Sequence, residues 1–568
     1  MVSITKKTIR GKPYYYAREC QRIDGKPKIV WQQYLGKADD IVAAMTQRPD
    51  VLEPGHAVVT EFGAVVALYD LAQRLGLAEQ IDAHVPKRGN GPSVGTYLLV
   101  ATLNRCVAPC SKAAIGEWFQ DTALRRLIGI EARQLSSQRY WDNMHRVSSE
   151  AIRAIERDVV SAMVRAFEVD LRQVLFDATN FFTFIDTFND RSTLAQRGKS
   201  KEGRKALRIV GLALLVSADG HVPLLHRTYP GNQADAPTFR SLTDSLIERY
   251  RELTDGAEHV TLVFDKGNNA EDNLHSIHDS PYHFVGSLVP SHHSGLLAIK
   301  KQQLRSLADE GLPGVSTYRC TREIFGVKRT VLVTYNENLF VAQSRTLLRE
   351  IAKRQRDLRE LQHQLRRWHQ GKVRRGRAPG VAGVTKKVDG WLKARHMKEL
   401  FEVTIEERDG LPWLSYRFNR QAWARLQRTL LGKTLLFTDN DEWSDAEIVR
   451  GYRAQHHVER GFRCMKDPHH ICLRPQHHWT DQKIEVHVFC CVLALMLCSL
   501  LRREIQRHGI DLSIPALLDE LGKIREVAVI YPPQDKRRSP TIKMTLSKLS
   551  EQQQTLYDAL QLQRYRAA

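Results

Sequence analysis

RQVLFDATN, residues 172–180, is the stretch on which the fold of this chain turns. Val174, Leu175 and Phe176 form a short apolar run closed by a carboxylate, Asp177, and such a run reads as a buried strand with an acid at its end. A second stretch has the same construction: HVTLVFDKGNN, residues 259–269, ends its apolar run at Asp265. Neither aspartate is specific alone, because acids at strand ends commonly serve turns and caps.

Working outward, the pattern predicts strands at 174–176, 208–216 and 222–228, with Asp219-Gly220 as the turn between the last two. A helix over 237–251, a strand at 260–264, a further helix and a strand at 282–288 follow. A hairpin-extended sheet, then a helix, then another strand is the order of an RNase H-like α/β core. That order would bring Asp177 and Asp265 onto neighbouring strands.

A third acid has the best-marked local structure. Ser444 and Glu447 form a capping box, Trp443 and Ile448 a hydrophobic staple, and Pro468 closes the helix they begin. The predicted helix is about 22 residues long, or roughly 33 Å. Along it, Tyr452, Gln455, Glu459, Phe462 and Lys466 recur at alternating spacings of three and four, which places them within an arc of about 80°. Gly451 and Gly461 each weaken this helix by up to about 1 kcal/mol relative to Ala, which points to close approach of another backbone or of DNA. Two strand-end aspartates and a helical glutamate suggest a metal-dependent phosphoryl-transfer site, with phosphate-binding candidates around Glu459.

Composition supports a polyanionic partner. Lys and Arg outnumber Asp and Glu by 85 to 64 in 568 residues, a net charge of +21, and nucleic acid is the leading candidate. The excess is concentrated. Residues 191–208 hold seven Lys/Arg against one Glu, and residues 345–377 hold twelve against three acids. The first run directly follows the Asp177 strand, so Lys199, Lys201 and Arg204 read as a phosphate-contacting loop. Nine scattered cysteines and an N-terminus without an apolar signal region point to a reducing cytoplasm, here in association with the nucleoid. The longest apolar run, residues 488–501, is shorter than a membrane span needs and reads as a buried helix, so no membrane partner is expected.

The chain divides by pattern into six parts: an N-terminal β-hairpin (1–40), a helical DNA-binding domain (41–168), a first core segment (169–290), a β-rich insertion with a helical arm (291–440), a second core segment with the Glu459 helix (441–505), and a C-terminal region (506–568). The hairpin pairs 12–20 with 28–35 around Asp24-Gly25. The arm, from 344 to 370, carries an apolar stripe of Leu347, Ile351, Leu358, Leu361 and Leu365. No single N-terminal helix stands out as a recognition helix, and the tail SEQQQTLYDALQLQRYR suits either self-association or packing.

These residues together resemble the DDE transposases of bacterial insertion sequences, in the branch marked by Tyr-x-x-Arg-x-x-x-Glu-x-x-x-x-x-x-Lys. Tyr452, Glu459 and Lys466 match its spacing, and DAT at 177–179, YPGNQADAPTF at 229–239 and DKG at 265–267 are similar to its other motifs. The resemblance spans roughly residues 170–500. Gln455 departs, standing where the signature has Arg, with Arg453 and Arg463 as substitutes for the lost phosphate contact. The resemblance implies that Asp177, Asp265 and Glu459 are catalytic and hold two Mg²⁺ ions, with Mn²⁺ able to substitute. It implies cleavage at the element's terminal inverted repeats, strand transfer into double-stranded target DNA, and a dimer assembled on DNA. Tyr452 and Lys466 would then position phosphates. The β insertion would hold the element end, with Trp413 as a stacking candidate.

Other readings are weaker. LLGKT at 430–434 lacks the Gly that a phosphate loop needs at the position of Gln427, which removes an ATPase. The run of His456, His457, Cys464, His469, His470, Cys472, His477 and His478 has no zinc-site spacing and reads as DNA-facing or locally hydrogen-bonded. A nuclease without strand transfer, or an inactive DNA-binding remnant, are the alternative functions.

Overall fold

Among the described residues nine strands form one mixed sheet, which carries Asp177 and has Asp265 just beyond one strand's end, while Glu459 sits on a helix. The computed structural model describes residues 2–23, 26–46, 54–87, 89, 91–203, 206–233, 260–265, 274, 277, 282–373, 375–474, 477–533 and 539–567. The helix expected over 237–251, the Asp24-Gly25 turn, Arg204 and the second half of the YPGNQADAPTF motif lie outside these residues.

Strands β5 (Gln173–Phe182), β6 (Ile209–Ser217) and β7 (Pro223–Pro230) form an antiparallel meander. On the other side of β5, β8 (Val260–Val263) and β9 (Tyr282–Ser287) run parallel to it. Every residue of β6, IVGLALLVS, is buried, which is why it reads as a continuous apolar run and not an alternating one. At the β6–β7 turn Gly220 takes φ +74°, and the bidentate Arg503–Asp219 ion pair clamps the same turn (2.8 and 2.5 Å).

The sheet does not stop at β9. Strand β15 (Lys433–Thr438) pairs antiparallel with β9, followed by β12 (Val327–Asn336), β11 (Val315–Ile324) and β10 (Arg305–Ser306). Much of the expected β insertion over 291–440 is therefore an extension of the main sheet. The remainder is a lobe in which the helix Glu337–His369 buries the expected stripe of Leu347, Ile351, Leu358, Leu361 and Leu365 against the hairpin Phe401–Arg408/Leu411–Phe418 and helix Val381–Leu392.

Helices lie between residues 62 and 167, from α2 (Gly63–Arg74) and α3 (Leu77–His84) through α4 (Val94–Val107) to α8 (Ser149–Phe167), with the short α5 (Ile115–Gln120), α6 (Leu124–Ile128) and α7 (Ser137–His145) between them. They surround the helix Asp481–Arg507, which contains the apolar run seen in the sequence. Though long and apolar enough to cross a membrane, this helix has 94% of its apolar window buried in the protein. Helices α2 and α4 are buried along most of their length, so neither has a face to offer a DNA groove.

Contacts divide the chain into two units, Met1–Glu61 with Ile524–Leu549 and Arg566–Ala568, and Phe62–Lys523 with Ser550–Tyr565. The second holds the nine-stranded sheet, the helices and the lobe, and within it Tyr565 donates to Asp70 (2.7 Å) to tie down the tail helix. The first holds two three-stranded sheets. One is β1 (Val2–Ile9), β2 (Lys12–Ile23) and β3 (Lys26–Gly36), adjoining α1 (Ala38–Thr46). The other joins β4 (His56–Glu61) to β16 (Arg525–Tyr531) and β17 (Thr541–Leu546). Where a hairpin was expected over 1–40 there is thus a third strand, β1, entered through an Arg10-Gly11 turn with both φ positive.

Candidate active site

The parallel register fixes the first two acids. Gln173 pairs with Thr261 and Leu175 with Val263, and continuing that ladder sets Asp177 level with Asp265. Asp265 lies two residues past the end of β8, whereas Asp177 lies mid-strand, because β5 runs on to Phe182. Asp177 projects from a sheet position flanked by buried neighbours, with its carboxylate accepting from the Ala178 N–H (2.7 Å).

The third acid arrives on a helix that is broken. Ser444 caps Asp445–Ala454 with the expected capping box, but a second helix, His456–Lys466, begins after a tight turn at Gln455. The cause is local: the His456 ring takes the carbonyl of Arg453, which in an unbroken helix would accept from the N–H of residue 457. Despite the break, Glu459 lines the same open cavity of about 920 Å³ as Asp177 and Asp265, together with Lys201, Glu202, Arg463, Lys466 and Arg474. A contiguous cavity is lined by the three acids with Tyr452, Arg453 and Gln455.

Electrostatics register the crowding. Burial pushes the Asp177 carboxyl up to about 6, the Ala178 N–H and Lys201 oppose the rise, and the charges of Glu459 and Asp265 add to it. Asp265 is held by two hydroxyls, since Tyr452 Oη and Ser287 Oγ both lie 3.2 Å from its Oδ1 and 2.9 Å from each other. Burial, then the Asp265 charge, pushes the Tyr452 phenol well up, so it stays a donor.

Several residues expected on DNA have protein partners. Tyr452 is committed to Asp265 and Ser287 as described. Lys466 donates to Thr179 Oγ1 and the Asn180 carbonyl (both 2.8 Å) and pairs with Glu202 (3.4 Å), pinning its helix to β5. Gln455 is buried at the helix junction. Lys201 donates to the Ala178 carbonyl (2.5 Å), and Asn180 holds the backbone of Lys199 and Lys201, so the basic loop is fastened beside Asp177. Lys199 and Arg463 are exposed and Arg453 half-buried. Gly451 and Gly461 meet protein side chains: a Cβ would come within 2.9 Å of Trp443 at the first and 3.4 Å of Leu495 at the second.

Sequence reasoning missed Glu202, Arg474 and Ser287. Glu202 is the one acid in the basic run, a signal that was available; it pairs with both Lys466 and Arg474. Arg474 and Ser287 carry no local signal. The histidines of 456–478 scatter: His457 stacks on His221 (3.8 Å), His477 packs on Phe184 (5.5 Å), and His478 stacks on His487 (4.6 Å). Trp413 sits half-buried in its hairpin, with the Arg408 guanidinium over its ring (4.8 Å) and His369 at its edge.

Among the described residues no three His, Cys, Asp or Glu side chains form a ready-made cage for an ion. Mg²⁺ rarely needs one, because it binds through one or two carboxylates and completes its shell with waters and substrate phosphate oxygens. Three hard oxygen donors facing one open cavity, with Asp177 raised by burial and to a lesser extent by the other two charges, fit that chemistry.

No protein-family model and no curated protein matches the chain. Among solved structures, the cryo-EM structure of a piggyBac transposase synaptic complex with hairpin DNA aligns with 83% of this chain and 82% of its own at 6% identity and a TM-score of 0.37.

Proposed function

We propose that the chain is a DNA transposase of the DDE type, built on an RNase H-like core, that cleaves the ends of an insertion sequence and transfers them into target DNA. The observation that carries this reading is the meeting of Asp177, Asp265 and Glu459 in one cavity from positions almost 300 residues apart. The strand order β7-β6-β5-β8-β9, antiparallel on one side of β5 and parallel on the other, supports the core assignment.

In this reading the three acids hold Mg²⁺, which when bound supplies Lewis acidity to the attacking and leaving oxygens of an in-line displacement at phosphorus. Tyr452 and Ser287 orient Asp265 through their hydroxyls. Lys466 and Glu202 fix the Glu459 helix against β5, and Lys201 and Arg463 present cations to the approaching phosphates. Water first breaks the phosphodiester at the element end, releasing a 3′-hydroxyl; that hydroxyl then attacks a target phosphodiester, forming one ester bond as another breaks.

The test is incubation of the protein with Mg²⁺ and duplexes carrying the two ends of its element, alone and with target plasmid. Wild type should nick the ends and join them to plasmid, and Asp177→Ala should lose both products. Equal cleavage by the two proteins would reject the assigned site, and nicking without joining would reduce the reading to a nuclease.

A further inference from the structure

The first unit contains a surface that the catalytic site does not use. Pairing within β1–β3 sets Lys7 opposite Tyr14, Thr5 opposite Tyr16, Ser3 opposite Arg18, and Tyr16 opposite Tyr34. Directly opposed residues in an antiparallel ladder project from the same face. That face therefore displays three tyrosines, cations at positions 7, 12 and 18, and the hydroxyls of Ser3 and Thr5. The other face carries Val2, Ile4, Tyr15, Trp31 and Glu19 with the cations Lys6, Lys26 and Lys28.

We infer that the Lys7–Lys12–Arg18 face of this sheet is a docking surface for double-stranded DNA. The inference rests on the reading of the chain as a DNA enzyme, but it assigns DNA contact to a part of the protein outside the catalytic cavity and outside the helical segment.

Charge is the first argument. Residues 1–37 hold nine Lys/Arg against Glu19 and Asp24 alone, a density well above the chain's average and suited to a phosphate backbone. Chemistry is the second. Arg, Lys, Ser, Thr and Tyr are the side chains that bind phosphate oxygens, and Arg also reads guanine edges. Arg18 lies 5.8 Å from the centre of the Tyr16 ring, with its Nε lacking a hydrogen-bond partner among the described residues. Tyr34 is 54% exposed yet packs on Tyr16 (5.3 Å) and Tyr14 (6.1 Å), so the aromatic cluster is stiff without being buried. Against the rival occupant, a strand added by a second copy, stand the lysines of the edges, Lys6 and Lys7 on β1 and Lys26 and Lys28 on β3, which oppose edge-to-edge pairing.

The experiment uses the full chain and a fluorescein-labelled 30-base-pair DNA duplex of mixed sequence, with binding followed by anisotropy across a salt series. The triple variant Lys7→Gln/Lys12→Gln/Arg18→Gln should bind about 10- to 100-fold more weakly at 0.1 M salt, with the slope of log affinity against log salt shallower by roughly two to three. Tyr34→Ala, an exposed position, should lose affinity with the slope unchanged, because a neutral phenol that hydrogen-bonds a phosphate releases no counterions. Unaltered binding and slope in the triple variant would overturn the surface, as would an RNA duplex of the same sequence competing as well as DNA. If the triple variant loses binding while wild type never cuts element ends, the surface stands and the transposase reading falls. Should wild type bind no DNA at all, both fall.

Discussion

Asp177 carries the electrostatic strain of the site. A folded-state carboxyl raised to about 6, against an ordinary value of 3.8 in the unfolded chain, means that the folded protein binds an extra proton between those pH values. Above about pH 6 the group is ionised in both states and opposes folding by on the order of 2 to 3 kcal/mol without a cation. Lowering the pH through 6 relieves that penalty. In chelator, Asp177→Asn should therefore be more stable than wild type at pH 7.5, and the difference should shrink toward pH 4.5; denaturant midpoints measure it. A variant less stable than wild type at pH 7.5 would show that burial and the neighbouring charges do not penalise the Asp177 carboxylate. Tyr452 acts through Asp265, as a positioning residue. Tyr452→Phe keeps the ring and removes the hydroxyl, and should raise the Mg²⁺ concentration needed for half-maximal cleavage about 10- to 100-fold while leaving DNA affinity unchanged. A matching loss of DNA affinity would return Tyr452 to the phosphate-binding role its position in the signature implies.

At the scale of elements, the start of the Tyr452 helix was fully legible. Ser444 Oγ accepts from the Glu447 N–H and Glu447 reaches back to the Ser444 N–H (2.8 Å), as the capping box requires. Ser444→Ala should cost about 1 kcal/mol locally. Its first-turn amides should then exchange hydrogen about five times faster, and unchanged exchange would mean that tertiary packing alone holds the helix. The interruption eleven residues later was not legible, because it depends on which carbonyl a single histidine ring captures. Strands β6 and β8 were visible as continuous apolar runs, and β5 and β7 through shorter apolar stretches at 174–176 and 222–225. Strand β1 was not: its residues are exposed on both faces, so hydrophobic alternation gives no signal. Nor could local pattern show that β12 pairs with β15 a hundred residues later, Thr334 opposite Thr434, which turned an expected insertion into part of the main sheet.

At the scale of the molecule, three acids distant in sequence reach one cavity because a parallel pairing levels two of them and a helix pinned by Lys466 brings the third. The basic loop of residues 191–203 is held in place from two sides, by Asn180 and by Asp481 at the start of the buried helix, which takes the hydroxyls of Ser192 (2.7 Å) and Thr193 (2.6 Å). Both the acids and the cations beside them thus depend on the long-range sheet and not on any motif alone. The claim that these acids serve a divalent cation is tested most directly by crystals of the protein soaked in Mn²⁺ and read by anomalous scattering. Peaks bounded by Asp177, Asp265 and Glu459, absent in Asp177→Asn, are the expected result. A cavity without such peaks under saturating Mn²⁺, or peaks only elsewhere on the surface, would contradict it.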